Sequence, residues 1–282
     1  MIIGIIGNGF VGKATFQLAC DDIQILAYDI NPELCNPPNL DIYELNKCEI
    51  IFVSVPTPMS KDGSCHLNIV ESVLNDLSNI DYTGLVVLRS TVPVGTCDKL
   101  GCYFMPEFLT EKNFIQDFID NPDWIFGCLD SPNVGVFEHK MKMLFNLAYK
   151  NGRINYNTLH FVKNKEAEMI KMFRNTFLAT KVAFCNEISE FCDTKGVNYS
   201  NVQKLATLDK RIGSGHSCVP GHDGRKGFGG TCFPKDTSSL RYEMKSSGMK
   251  SYVLDAIIER NDNVDRPEKD WLADKGRAAI DD

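Results

Sequence analysis

One cysteine, Cys232, stands within the run Gly227-Phe228-Gly229-Gly230-Thr231-Cys232-Phe233-Pro234-Lys235-Asp236, and a helix signal stands directly behind it. Proline is tolerated in the first turn of a helix, so Cys232 falls at or just before a helix N-terminus. Backbone N–H groups and the helix dipole favour a thiolate there. Asp236, four residues on, shares the cysteine's face. The glycines let a ligand or another backbone come close. This is the setting of a nucleophile. Read alone, the run equally fits a buried cysteine behind a glycine-rich turn.

A second glycine cluster opens the chain. Ile2–Ile6 is an uncharged apolar run, suited to a central parallel strand covered on both faces. Gly7-Asn8-Gly9-Phe10-Val11-Gly12 comes next, then a helical stretch over 13–20, then a strand over 23–28 ending at Asp29. Strand, glycine turn, helix and a later acid together form the setting of a dinucleotide site. The first glycine allows the tight turn, the second the approach of a pyrophosphate, the third close helix–strand packing. Asp29 would accept hydrogen bonds from ribose hydroxyls and repel a 2′-phosphate, which favours NAD over NADP. A glycine turn without a ligand is the alternative, and the full context argues against it.

The pattern also predicts the elements that must position these groups. Strands fit 49–55, 85–89, 102–105 and 124–128, the last of the series, with helices over 67–78 and 133–149. Such β-α alternation predicts a doubly wound parallel sheet, in which ligands bind beyond the C-terminal strand ends. Thr57, Thr91 and Glu107 all fall after strands, on that edge. From 164 to about 193 a long helix carries Ile170, Phe173, Phe177, Phe184, Ile188 and Phe191 at helical spacing. Burial on more than one face predicts a spine that also packs on a second subunit, a homodimer. Lys171 and Asn175 share one face of it, as an exposed Lys and a neighbouring Asn on any helix also would. The expected organisation is α/β: a Rossmann-like NAD-binding domain over 1–160, then an all-helical domain over 161–282 carrying Cys232.

Composition narrows the partners. The chain of 282 residues has net charge −7 and no basic stripe that could track nucleic acid. No apolar run reaches the ~18–20 residues of a membrane span, and the N-terminus lacks a signal-peptide pattern. Eleven cysteines, an odd number with no Cys-x-x-Cys pair, read as reduced thiols of a cytoplasmic protein, mostly core. No metal is expected: the histidines are dispersed, and His216 and His222 read as solvated loop residues.

The motifs taken in order resemble the UDP-glucose/GDP-mannose dehydrogenase family. They are Gly7-x-Gly9-x-x-Gly12, Val55-Pro56-Thr57-Pro58, Ser90-Thr91-Val92-Pro93-Val94-Gly95, Pro106-Glu107-Phe108-Leu109 with Glu111, Lys171-x-x-x-Asn175, Arg211-Ile212-Gly213 and the Cys232 run. The resemblance covers the chain to about residue 240. It implies NAD-dependent oxidation of a sugar-nucleotide C6 alcohol to the carboxylate, serving polysaccharide synthesis. UDP-glucose to UDP-glucuronate is the leading case; GDP-mannose and UDP-N-acetylhexosamine forms, or a non-catalytic nucleotide-binding remnant, are the alternatives.

It also implies roles. Cys232 is the nucleophile and Glu107 the base for thioester hydrolysis. Asp236 and Lys171 handle the alcohol proton and the oxyanion, and Asn175 adds a neutral hydrogen bond. Thr91 and Glu111 order water and cofactor. Gly7, Gly9, Phe10, Val11, Gly12, Asp29, Val55, Pro56, Thr57 and Ser90 line the NAD site. Glu107, Phe108, Leu109, Arg211 (from the partner subunit), Phe228, Gly229 and Gly230 line the substrate site. Lys235 fits either a substrate phosphate or a plain helix turn. Family members usually continue into a second Rossmann-like domain, which the tail of this sequence does not resemble. The loop over 214–226 is expected to replace part of that cover.

Overall fold

The computed structural model describes residues 1–280, which form two compact units. The first holds Met1–Thr57 and Leu67–Lys171; the second holds Pro58–His66 and the residues from Met172 onward. The division falls after Lys171 rather than at 160, because one uninterrupted helix runs through that region and offers no turn signal. Pro58–His66 belongs with the second unit because Met59 pairs with the tail: its N–H donates to Ala278 O at 2.9 Å and its carbonyl accepts from Ile280 N at 3.0 Å.

In the first unit the elements are β1 (Ile2–Ile6), α1 (Phe10–Thr15), β2 (Gln24–Tyr28), β3 (Ile50–Val53), α2 (Asn68–Asn79), β4 (Leu85–Leu88), α3 (Thr96–Leu100), β5 (Tyr103–Phe104), α4 (Phe114–Ile119), β6 (Asp123–Cys128), α5 (Val134–Lys150) and β7 (Thr158–Lys163). Helix α6 (Asn164–Thr194) begins here and continues into the second unit. The sheet order is β2-β1-β3-β4-β5-β6-β7. Neighbours pair in parallel from β2 to β5, as expected of a doubly wound sheet. Strand β6, however, meets β5 antiparallel, and it is not the last strand, because β7 pairs beside it in parallel. Strand β7 escapes a pattern reading because it is short, half-exposed and runs into α6 without a break.

Alternation on β1 shows how the sheet builds its core. Ile3 and Ile5 join one apolar layer with Phe52, Val87, Trp124 and Phe126. Ile6 joins the other with Leu26, Val53, Leu88 and Phe104. With both faces covered, the strands read as continuous apolar runs.

In the second unit the rest of α6 is accompanied by α7 (Tyr199–Ala206), α8 (Phe233–Ser246) and α9 (Tyr252–Arg260). Pro234 lies in the first turn of α8, and Cys232 is its N-cap residue. The helix therefore starts where the sequence places it, because proline has no N–H for that turn to leave unbonded. Among the described residues no helix is long and apolar enough to cross a membrane, and no group of His, Cys, Asp or Glu is arranged to hold a metal ion.

Candidate active site

The glycine turn after β1 is built as its sequence requires. Gly7 has φ +87° and donates to Tyr28 O at 2.9 Å. A Cβ on Gly7 would lie 2.7 Å from Ser54 O, and one on Gly12 would overlap the Gly7 carbonyl. Gly9 alone faces open space. Asp29 accepts from Asn8 N at 2.7 Å and Asn31 N at 2.9 Å. A carboxylate has about four acceptor sites, so roughly two stay available for hydroxyl donors. Asn8 Oδ1 is buried with no hydrogen-bond partner among the described residues, which leaves an acceptor beside the turn. These features fit a dinucleotide: an open cradle, an acidic ribose anchor and an unmet polar atom. Phe10 stands edge-on to Phe114, and Val11 O accepts from Thr15 Oγ1 at 2.9 Å.

The loops after β3 and β4 are stitched together. Ser90 Oγ donates to Val55 O at 2.6 Å and Thr57 Oγ1 to Thr91 O at 2.7 Å. Thr57, Ser90 and Thr91 are buried, while Pro56 is exposed. The hydroxyl protons of Ser90 and Thr57 thus hold the scaffold. Glu111, expected to order water and cofactor, is exposed.

Glu107 and Lys171 form a buried ion pair. Lys171 Nζ donates to Glu107 Oε1 at 2.6 Å and to Glu107 O at 2.7 Å, and lies 5.6 Å from the Phe108 ring centre. Glu107 Oε2 accepts from Leu109 N at 2.9 Å. Burial alone would raise the Glu107 carboxyl, but the Lys171 ammonium, these hydrogen bonds and Arg89 hold it below the usual carboxylate range.

Three residues of this unit carry no local signal in the sequence. Arg89 is buried beneath α1, donating to Thr15 Oγ1, and burial lowers its pKa to about 10. Glu168 is fully buried and accepts from Gly95 N at 2.5 Å and Cys97 N at 2.8 Å, fixing the loop after β4. Asn164 Nδ2 donates to Asp98 Oδ1 and Cys102 O. Only long-range contacts reveal these three.

The second unit carries the cysteine. Asp236, 1% exposed, accepts from Asn175 Nδ2 and from Lys235 Nζ, each at 2.6 Å. Cys232 is half-buried, and Thr231 Oγ1 lies 3.8 Å from its sulfur. Burial works against the charge on Lys235, but Asp236, then Cys232 and Cys65, more than offset it and push its pKa up. The neighbouring acid and thiols thus favour the charged form of Lys235. Helix α6 carries Lys171 and Asn175 one turn apart.

Residues 38–149 match the NAD binding domain of the UDP-glucose/GDP-mannose dehydrogenase family, and residues 165–263 match its central domain. The two matches together take in well over half of the chain. The chain belongs to the UDP-glucose/GDP-mannose dehydrogenase family. It is 33% identical over 230 residues to the UDP-glucose 6-dehydrogenase of Rickettsia bellii (strain RML369-C), a match covering 77% of this chain and 50% of that protein. The chain thus spans about half the length of the curated relatives it matches. Among solved structures it resembles a UDP-glucose dehydrogenase from the hyperthermophilic archaeon Pyrobaculum islandicum, with TM-score 0.76 and 25% identity over 93% of this chain and 68% of that one. The fold is shared with Mycobacterium tuberculosis 3-hydroxyisobutyrate dehydrogenase, with TM-score 0.68 and 12% identity over 94% of this chain and 95% of that one. Fold alone therefore does not fix the chemistry.

NAD is the cofactor of the matched family domain. The remaining family motifs lie in the second unit. Phe228 is buried, its N–H donating to Asn261 Oδ1 at 2.7 Å and its carbonyl accepting from Asn261 Nδ2 at 3.0 Å. A Cβ on Gly229 would lie 2.5 Å from the Arg266 guanidinium carbon, whereas Gly230 faces open space. Of this run's backbone, Gly230 is the part left open for a ligand; Phe228 and Gly229 are braced by the protein itself. Arg211 is exposed and pairs with Asp209 at 2.6 Å. The loop over 214–226 is fastened within its own unit by Arg266–Asp223 at 2.7 Å and Arg225–Asp270 at 2.9 Å.

Proposed function

We propose that the chain oxidises the C6 alcohol of a sugar nucleotide to the carboxylate, with UDP-glucose the leading substrate, through a covalent intermediate on Cys232. The observation that carries this reading is Cys232 at the start of α8 beside the Lys235 cation and the buried Asp236. A two-electron alcohol dehydrogenase has no use for such a thiolate. Gly7, Gly9, Gly12 and Asp29 would hold NAD, which would supply the hydride acceptor for both oxidations.

The chain's own residues do the rest. Asp236, through water, takes the proton of the alcohol as the aldehyde forms. The Cys232 thiolate adds to the aldehyde carbon, and its oxygen takes a proton to give a thiohemiacetal. Loss of a hydride from that carbon and of the hydroxyl proton leaves a thioester. Glu107 takes a proton from water, the hydroxide adds, and the carbon–sulfur bond breaks to release the thiolate and the carboxylic acid, which loses its proton to water to give the carboxylate. Lys171 and Asn175 stabilise the negative oxygen as it develops. Lys235, as a nearby cation, would favour the thiolate form of Cys232.

We place the activity in a homodimer. Phe173, Phe177, Phe184 and Phe191 on α6 are each more than half exposed, at 58–63%. A stripe of this size along one helix is what a second copy would cover. Arg211, at the surface, is available to a neighbouring subunit's sugar. A reactive thiolate also needs a reducing compartment, and the cytoplasm provides one. The test is stoichiometry: NADH counted per sugar consumed, over a panel of sugar nucleotides. Two per sugar supports the reading, one supports an ordinary alcohol dehydrogenase, and none supports a binding module. Light scattering that finds only monomer counts against the dimer.

A further inference from the structure

We infer that Ser239 and Glu243 form an outlet that carries protons from Asp236 along α8 to solvent; the inference rests on the proposed oxidation, which releases protons at Asp236. Asp236 is 1% exposed, so protons it takes up reach bulk solvent only by way of its neighbours. Cys232, Asp236, Ser239 and Glu243 are spaced four, three and four apart, so they lie on one stripe of the helix. Ser239 is 4% exposed, and its Oγ has no hydrogen-bond partner among the described residues.

That is unusual for a helical hydroxyl. Two residues earlier, Thr237 bonds back to Phe233 O at 2.7 Å and Pro234 O at 3.0 Å. Ser239 makes no such bond, so its donor and acceptor are both available across the stripe. Leaving a buried hydroxyl unmet is costly, and a bridging water removes the cost. Neighbours at these spacings stand about 5–6 Å apart at Cβ, a gap that one water spans.

Each end of the route is chemically suited to its place. Each Asp236 oxygen takes one protein bond, from Asn175 or Lys235, and retains a second acceptor site for water. A proton on Asp236 passes to the first water. Ser239 Oγ accepts a proton from that water and releases its own to the next, which leaves the hydroxyl unchanged. Glu243, half-buried, takes the proton and gives it to bulk water.

The test uses the full chain with NAD and UDP-glucose in weak buffer, recording NADH and an indicator dye together in stopped flow. In the wild type the two traces coincide. Ser239→Ala should slow turnover about 5–10-fold, enlarge the solvent deuterium isotope effect and be rescued by imidazole. Ser239→Thr should retain the wild-type rate, and Glu243→Gln should show a smaller loss. Wild-type rates and isotope effects in both Ser239→Ala and Glu243→Gln would overturn the route while leaving the oxidation intact. A wild type that makes no NADH sinks the functional reading instead. A high-resolution crystal structure then judges the route by itself: waters bridging Asp236, Ser239 and Glu243 support it, and a protein partner on Ser239 Oγ overturns it.

Discussion

The two glycine-rich turns of this molecule solve one steric problem and end in different chemistry. At the first, Gly7 and Gly12 are required by nearby backbone, and only Gly9 is open. At the second, a Cβ on Gly227 would overlap Asn261 Oδ1 and one on Gly229 would crowd Arg266, and Gly230 is open. In each turn most glycines specify the scaffold, and one leaves room for a ligand. The groups that each turn presents are where the two part. The first turn offers a carboxylate, Asp29, already braced on two backbone N–H groups. The second leads to a sulfur flanked by a cation and a buried acid. In the proposed mechanism the first turn holds and the second reacts.

The largest effect should separate holding from reacting. Cys232→Ala is expected to lower turnover by at least about 10⁴-fold, as removal of a covalent nucleophile does, with NAD affinity in calorimetry within about twofold of wild type. Loss of both together would break the contrast. The next effect concerns Lys171. In the wild type, Glu107 titrates below its unfolded value of about 4.3. Its stabilisation is therefore complete above that pH and is lost as pH falls through the folded value. Lys171→Met removes the main opposing charge and lets burial dominate. We expect a loss of about 3–5 kcal/mol near neutrality and a melting temperature that rises, rather than falls, on acidification from pH 7 to 5. An unchanged pH profile would contradict the pairing.

Within the first turn, Gly12→Ala should cost about 2–4 kcal/mol in denaturant unfolding, because backbone must move. Gly9→Ala should melt like the wild type yet bind NAD about 10–100-fold more weakly. Equal melting losses in both variants would erase the distinction between scaffold and cradle. The smallest effect sharpens the second turn. Lys235→Met should slow alkylation of Cys232 by iodoacetamide about tenfold at pH 7, since a nearby cation favours the thiolate. No change would mean that Lys235 does not tune the sulfur.

What could be read in the sequence was local. Strand β1, the glycine turn and Asp29 form one contiguous pattern, and the phenylalanine stripe announces α6. Pro234 fixes the start of α8 and hence the place of Cys232. Other features stayed hidden because distance decides them. The direction of β6 depends on which strand it meets, and β7 is a half-exposed edge. Asn261 and Arg266 brace the cysteine run from more than thirty residues away. Spacing alone could not tell whether Lys235 serves a phosphate or its own helix, and it gave no sign of the bond that Lys235 makes to Asp236.

The decisive measurement is the mass of one peptide. Trypsin releases residues 227–235, in which Cys232 is the sole cysteine. Glu107→Gln, mixed with NAD and UDP-glucose and quenched in acid during turnover, should yield this peptide carrying the sugar-nucleotide acyl group on sulfur. If NADH appears while the peptide keeps its unmodified mass, Cys232 is not the nucleophile.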